Sequence, residues 1–432
     1  DNNFLNNGLV QPDRKPNPHI YEVAHIQQEV KFYENDLAKG VIDVKNWFFF
    51  RDLSNYKLNW EVIANGEVVE SGTIDNIELS PQAKKAIKIP FTTTFKKDVE
   101  YFLNVAAILK TDEPLLKAGY KVAYEQFKLQ AANVQVPQKA TDAVSYKSKG
   151  DVISVTGKEF EVTFDQKTGT LTTFDFKNKK LVESGPEVNF WRAPVDNDYG
   201  AGTQKRYKAW KDAGKSEKVT TAVKQLSKSE VQISFTRDLF GGDAKLIETF
   251  IVDGNGAVKV TNELKALKGK HPDFFKFGNK LVLPEAYKNI TFYGKGPFEA
   301  YADRQHAAKV GLYKQTIAEQ YFPYIRPQET GNKLEVRWVT LTKEDGSGIK
   351  FLSENPLSVS ALNFREDDLH SGDEKGQHHA GEIDPRKEVF VNIDGFQQGL
   401  GSINSWGQLP LPQYRLPFKD YSYSYWMIPV AK

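Results

Sequence analysis

The sequence predicts an all-β protein, and three observations carry that. Apolar and polar side chains alternate at period two through much of the 432 residues, the pattern of half-buried strands. The chain is rich in aromatics that strands favour, with 28 Phe, 19 Tyr and 7 Trp. Helical periodicity is confined to short stretches near 203–213 and 298–302. The length exceeds the roughly 250–300 residues at which a single core stops growing, so two or more domains are expected.

Residues 1–20 read as an irregular segment. Asn2, Asn3, Asn6, Asn7 and Gly8 precede Pro12, Pro16 and Pro18, which leaves no room for a helix or a central strand. The segment is expected to be the tail of a domain lying upstream. From Glu29 onward the period is two. Leu58, Trp60, Val62 and Ala64 alternate with Asn59, Glu61 and Ile63, and Asn65-Gly66 is a strong hairpin signal before Val68-Val69. Tyr101, Leu103, Val105, Ala107 and Leu109 alternate again, and Val122, Tyr124, Gln126 and Leu129 suggest a last strand. Short strands over about 100 residues predict an immunoglobulin-like β-sandwich across 21–133.

Residues 131–150 are small and polar and mark a boundary. The second region, 134–432, opens with Phe160, Val162 and Phe164, turns at Lys167-Thr168-Gly169 and returns through Leu171, Phe174 and Phe176. Further strands are expected near 230–236, 246–251, 257–263, 289–293, 335–342, 348–353, 357–363, 388–394 and 421–430. In the last, Tyr421, Tyr423 and Tyr425 alternate with Ser422, Ser424 and Trp426. So many strands in one region predict a large double-sheet sandwich, and the alternating βα units of a TIM barrel are absent.

Composition narrows the function. A net charge of +2, from 58 basic and 56 acidic residues, gives no reason to invoke nucleic acid or an anionic membrane. No apolar run approaches the ~20 residues of a membrane span. The first residues do not have the pattern of a secretory signal. The absence of cysteine excludes disulfides, thiolate catalysis and Cys-based zinc sites.

Few constellations suggest chemistry. None of the seven histidines forms a helical metal motif. His378-His379 with Glu382 reads either as an exposed polar loop or as ligands of a metal. Asp394 is most simply a turn residue before Gly395, and Glu299 a cap or a partner of Arg304. The segment Trp191-Arg192-Ala193-Pro194-Val195-Asp196-Asn197-Asp198-Tyr199-Gly200 reads as a buried turn with Arg192 paired to an Asp, or as a binder of sugar hydroxyls. The stretch from Val391 to Gly407 starts as a strand and breaks into a loop with glycines at 395, 399, 401 and 407. It carries Trp406, flanked by Asn404, Ser405 and Gln408. A rigid indole face suits the C–H face of a pyranose and suits local packing equally well.

Taken in order, these motifs resemble the C-terminal part of the large bacterial β-galactosidases, family 2 glycoside hydrolases. The resemblance runs from Asn7-Gly8-Leu9-Val10, Asp13-Arg14, Pro16 and Pro18 through the Arg192–Gly200 segment. It continues with Gly296-Pro297, Glu299, Tyr301, Asp303-Arg304, Pro323-Tyr324, Pro327, Glu329 and Gly331, and closes with Asn392-Ile393-Asp394-Gly395 and Ser405-Trp406. It implies an immunoglobulin-like fourth domain and a mutarotase-like β-supersandwich as the fifth. It also implies a parent enzyme that hydrolyses terminal β-D-galactosides such as lactose with retention, using two glutamates of a catalytic barrel that this chain does not contain.

The resemblance implies substrate-binding roles for Trp406, stacking on the aglycone sugar, and for Asn7, near the galactose 6-hydroxyl. It implies that a sodium ion is ligated by the Phe4 carbonyl and the Asn7 side chain, with magnesium in the parent enzyme's barrel. Departures from the family pattern at Leu5-Asn6 and around Gln397-Gln398 and Ile403 leave the carbonyl ligand in place but bear on aglycone preference. No catalytic residue is expected here. The barrel and a galactoside substrate are the expected partners, in a homo-oligomeric parent from the cytoplasm or periplasm of a bacterium. The rival readings are a stand-alone mutarotase-like aldose epimerase, for which His271, His306 and His378 are the available acids, and a carbohydrate-binding module.

Overall fold

The computed structural model describes residues 6, 8–215, 218–370, 372–376, 378–401, 404 and 406–431. Among them 24 strands and only short helices form, so the all-β expectation holds. The chain divides into two compact units.

The smaller unit comprises Pro18–Gln135 and His306–Leu312. After the helix His19–Ile26 come seven strands: Val30–Asp36, Val41–Asn46, Tyr56–Ala64, Glu67–Ile74, Lys84–Lys88, Tyr101–Leu109 and Lys121–Gln130. The first, second and fifth form one sheet, and the other is ordered fourth, third, sixth, seventh. This is an immunoglobulin-like sandwich in which the fourth strand pairs with the third instead of the fifth. Asn65 and Gly66, at φ of 48° and 93°, turn the chain so that Ala64 faces Glu67, as a type I′ hairpin requires. Leu58, Trp60 and Val62 are buried against Val30, Ile42 and Leu103.

His306–Leu312 joins this unit through polar contacts. Glu22 accepts the N–H of His306 at 3.0 Å and of Ala307 at 2.9 Å. Gln126 exchanges two bonds with Val310, at 2.8 and 2.9 Å. Burial opposes ionisation of Glu22, but those N–H groups and the His306 ring hold its carboxyl below the usual range.

The larger unit holds the remaining strands in two principal sheets. One has five strands, ordered Lys179–Val182, Thr170–Phe176, Phe160–Asp165, Val152–Thr156 and Ser145–Lys149. The other contains a continuous path ordered Ser184–Asn189, Lys276–Leu283, Val389–Gln397, Gly348–Leu362, Tyr421–Val430, Val258–Ala266, Ala244–Asp253, Glu230–Leu239 and Val219–Ser227. The sheets meet in one core. Phe164 of the smaller sheet lies 5.1 Å from the Phe250 ring and 6.2 Å from Phe235.

Several local expectations change, among them the helix His19–Ile26, which begins inside the segment expected to be irregular. The stretch 298–302 is not helical. Tyr301 and Arg304 form an isolated antiparallel bridge, because Glu299 is drawn inward by the Arg304 guanidinium, the Tyr324 hydroxyl, Thr330 Oγ1 at 3.1 Å and the Gly331 N–H at 2.8 Å. Asp394 is not a turn residue. It lies inside the strand Val389–Gln397 and is 1% exposed. The 203–213 stretch forms two single-turn helices, Thr203–Arg206 and Lys208–Lys211.

Candidate functional site

The strand Val389–Gln397 runs into the glycine-rich loop, and backbone chemistry fixes the foot of that loop. Gln398 N–H donates to Phe275 O at 2.8 Å, and Gly399 N–H to Tyr414 O at 3.0 Å. The Leu400 and Gly401 N–H groups donate to Asp303 Oδ1 and Oδ2 at 3.0 and 2.7 Å. From below, Arg192 donates to Gln398 O at 2.7 Å and to Gly399 O at 3.1 Å. Arg192 is itself held by Asp198 at 3.0 and 3.1 Å, and both side chains are buried. The segment around Arg192 is thus a buried turn, with the helix Asp196–Ala201 supplying Asp198.

Trp406 rises beyond this foot and is 85% exposed. Its N–H donates to Asn404 Oδ1 at 2.9 Å, and Gly407 at φ 103° carries the chain away in a conformation suited to glycine. Gln408 is exposed beside it. Local packing does not hold the ring, and its faces are open to a flat apolar partner. Ser405 lies outside the described residues, as do Phe4 and Asn7.

A second polar grouping lies under the loop. Lys276 is 3.3 Å from Asp394 and 3.5 Å from Glu366, while Gln397 donates to Glu329 at 3.2 Å. Burial raises the Asp394 carboxyl pKa to about 7, against the pull of Lys276. Burial likewise raises that of Glu329. This grouping is enclosed and serves as an internal charge network.

The histidines do not converge. His271 pairs with Asp243 at 2.9 Å, His306 with Glu22 at 3.0 Å and His378 with Glu382 at 3.3 Å. An open cleft of about 460 Å³ is lined by Asp367, Asp368, His370 and His378 among others. Two of its carboxylates are engaged, Asp368 by Arg386 at 2.7 Å and Asp367 by His370 at 3.0 Å. No group of three or more His, Cys, Asp or Glu among the described residues could hold a metal.

Residues 156–427 match the family described as Beta galactosidase small chain. The chain belongs to that family. Residues 42–130 match the description Beta-galactosidase, domain 4, and together the two regions correspond to the C-terminal part of a β-galactosidase. A β-galactosidase of Priestia megaterium is 32% identical over 418 residues, covering 96% of this chain and 40% of the relative. One of Streptococcus thermophilus is 26% identical over 434 residues, covering 100% of this chain and 41% of the relative. The chain thus spans about 40% of the length of these curated relatives. Among solved structures, a galactose 1-epimerase of Lactobacillus acidophilus is similar at 9% identity with a TM-score of 0.32, over 68% of this chain and 99% of that one.

Among the residues placed at the loop, the sequence singled out Trp406 and Arg192 directly. Asp303 entered only as part of the Asp303-Arg304 motif. Nothing in its local pattern shows that it binds a loop about a hundred positions away.

Proposed function

We propose that this small-chain-family protein is the non-catalytic C-terminal part of a β-galactosidase that hydrolyses terminal β-D-galactosides with retention. In that role it supports the barrel and presents Trp406 to the aglycone side of the pocket. The observation that carries the reading is the 85% exposure of Trp406 on a loop whose foot is tied down at four successive residues. A rigid ring held out from the surface loses little conformational freedom on stacking against a sugar. The catalytic glutamates and magnesium belong to the barrel, so the chain by itself turns over no galactoside. The same reading gives sodium to the Phe4 carbonyl and the Asn7 side chain.

The test has two parts. The purified chain is assayed with a chromogenic galactoside, and turnover that co-purifies with it through every fractionation would sink the non-catalytic assignment. In the full-length enzyme, Trp406→Ala should weaken aglycone-site binding by roughly 1–3 kcal/mol, the scale of a good aromatic anchor. Unchanged aglycone affinity would count against the platform.

A further inference from the structure

We infer that Asp303 is a positioning residue for Trp406: one carboxylate binds two successive backbone N–H groups at the foot of the loop and so fixes where the indole stands. This rests on the reading of Trp406 as an aglycone platform and adds the group that sets its place.

Three observations support it. Asp303 occupies the tip of the Tyr301–Arg304 bridge, closed by Tyr301 N–H to Arg304 O at 2.9 Å and the reverse bond at 2.8 Å. That bridge is anchored by the buried Glu299 and its donors, so the carboxylate projects from a fixed base. The loop has glycine where the carboxylate comes close. A Cβ at Gly399 would lie 2.6 Å from Asp303 Cγ, and one at Gly401 would lie 3.1 Å from Oδ2. The missing side chains therefore make room for Asp303. Finally, Trp406 is highly exposed, and its backbone N–H donates to Asn404 Oδ1. With so little packing at the ring, its placement depends on the foot.

A displaced ring costs binding where the ring is used and leaves the chemistry of the barrel alone. The test compares Trp406→Ala, Asp303→Ala, Asp303→Asn and the Trp406→Ala/Asp303→Ala double variant in the full-length enzyme, with lactose as substrate. Asp303→Ala should raise KM about tenfold with little change in kcat, matching Trp406→Ala, and the double variant should be no worse than either single one. Asp303→Asn keeps the size and one acceptor, should raise KM about threefold, and serves if the alanine variant fails to fold. An Asp303 effect that adds in full to that of Trp406→Ala would overturn the inference, because a purely structural role predicts it. If Trp406→Ala raises KM and neither Asp303 variant does, the inference falls and the platform stands. If Trp406→Ala itself leaves KM unchanged, the platform falls and the inference falls with it.

Discussion

Arg192 and Asp198 form a buried pair at 3.0 Å, and the same guanidinium reaches Gln398 O and Gly399 O. One side chain thus joins a helical turn to the foot of the Trp406 loop. Lysine could not reproduce this, since the fork is what serves the carboxylate and two carbonyls together. Arg192→Ala leaves the buried Asp198 without its cation, although the Val195 N–H and the Thr203 hydroxyl remain as donors, and should cost about 3–5 kcal/mol. Urea denaturation of the chain measures it, and a loss below about 1 kcal/mol would mean that water replaces the guanidinium.

The next constraint is steric. Gly395 lies under Tyr423, and a Cβ there would sit 2.4 Å from the ring. The ring cannot swing aside freely, because its hydroxyl donates to Asn279 Oδ1 at 3.0 Å in the core. Gly395→Ala should therefore destabilise the larger unit by about 1–3 kcal/mol through overpacking. A thermal midpoint equal to wild type would show that the strand shifts without cost.

These two positions show where sequence reading works and where it stops. The alternation of Leu58, Trp60 and Val62, the Asn65-Gly66 hairpin and the tyrosines of Tyr421–Val430 were legible because one face of each strand is buried and the pattern is local. The strand Lys276–Leu283 was not legible. Residues on both its faces are buried, and Lys276 and Asn279 are satisfied by side chains of other strands. The 298–302 stretch looked helical because the donors that pull Glu299 inward come from residues 304–331. His306–Leu312 joined the smaller unit through side-chain bonds to backbone, which leave no hydrophobic period. For the site, the exposed ring was foreseeable as one of two readings, and Asp303, which holds its loop, was not.

Trp406 is placed where removing it costs the fold almost nothing. With 85% of its surface in solvent, Trp406→Ala in the isolated chain should change stability by no more than about 0.5 kcal/mol. Thermal unfolding checks this. A larger loss would mean that the ring packs against the domain in solution and is unavailable to a sugar.

The smaller unit should carry a specific acid sensitivity at Glu125. Burial opposes its charge, but His25 at 3.4 Å and the Lys309 ammonium hold its carboxyl down at about 2. The folded pKa therefore lies below the ordinary glutamate value of about 4.3. The stability it contributes is complete above that value and is lost as pH falls towards 2. Glu125→Gln removes the ionisable group, so the variant should be less stable than wild type at pH 7, and the gap should narrow by pH 3. Urea unfolding of the chain at the two pH values decides it. An equal gap at both would show that Glu125 acts through packing and hydrogen bonding alone, with its charge contributing nothing to how Lys309 is held.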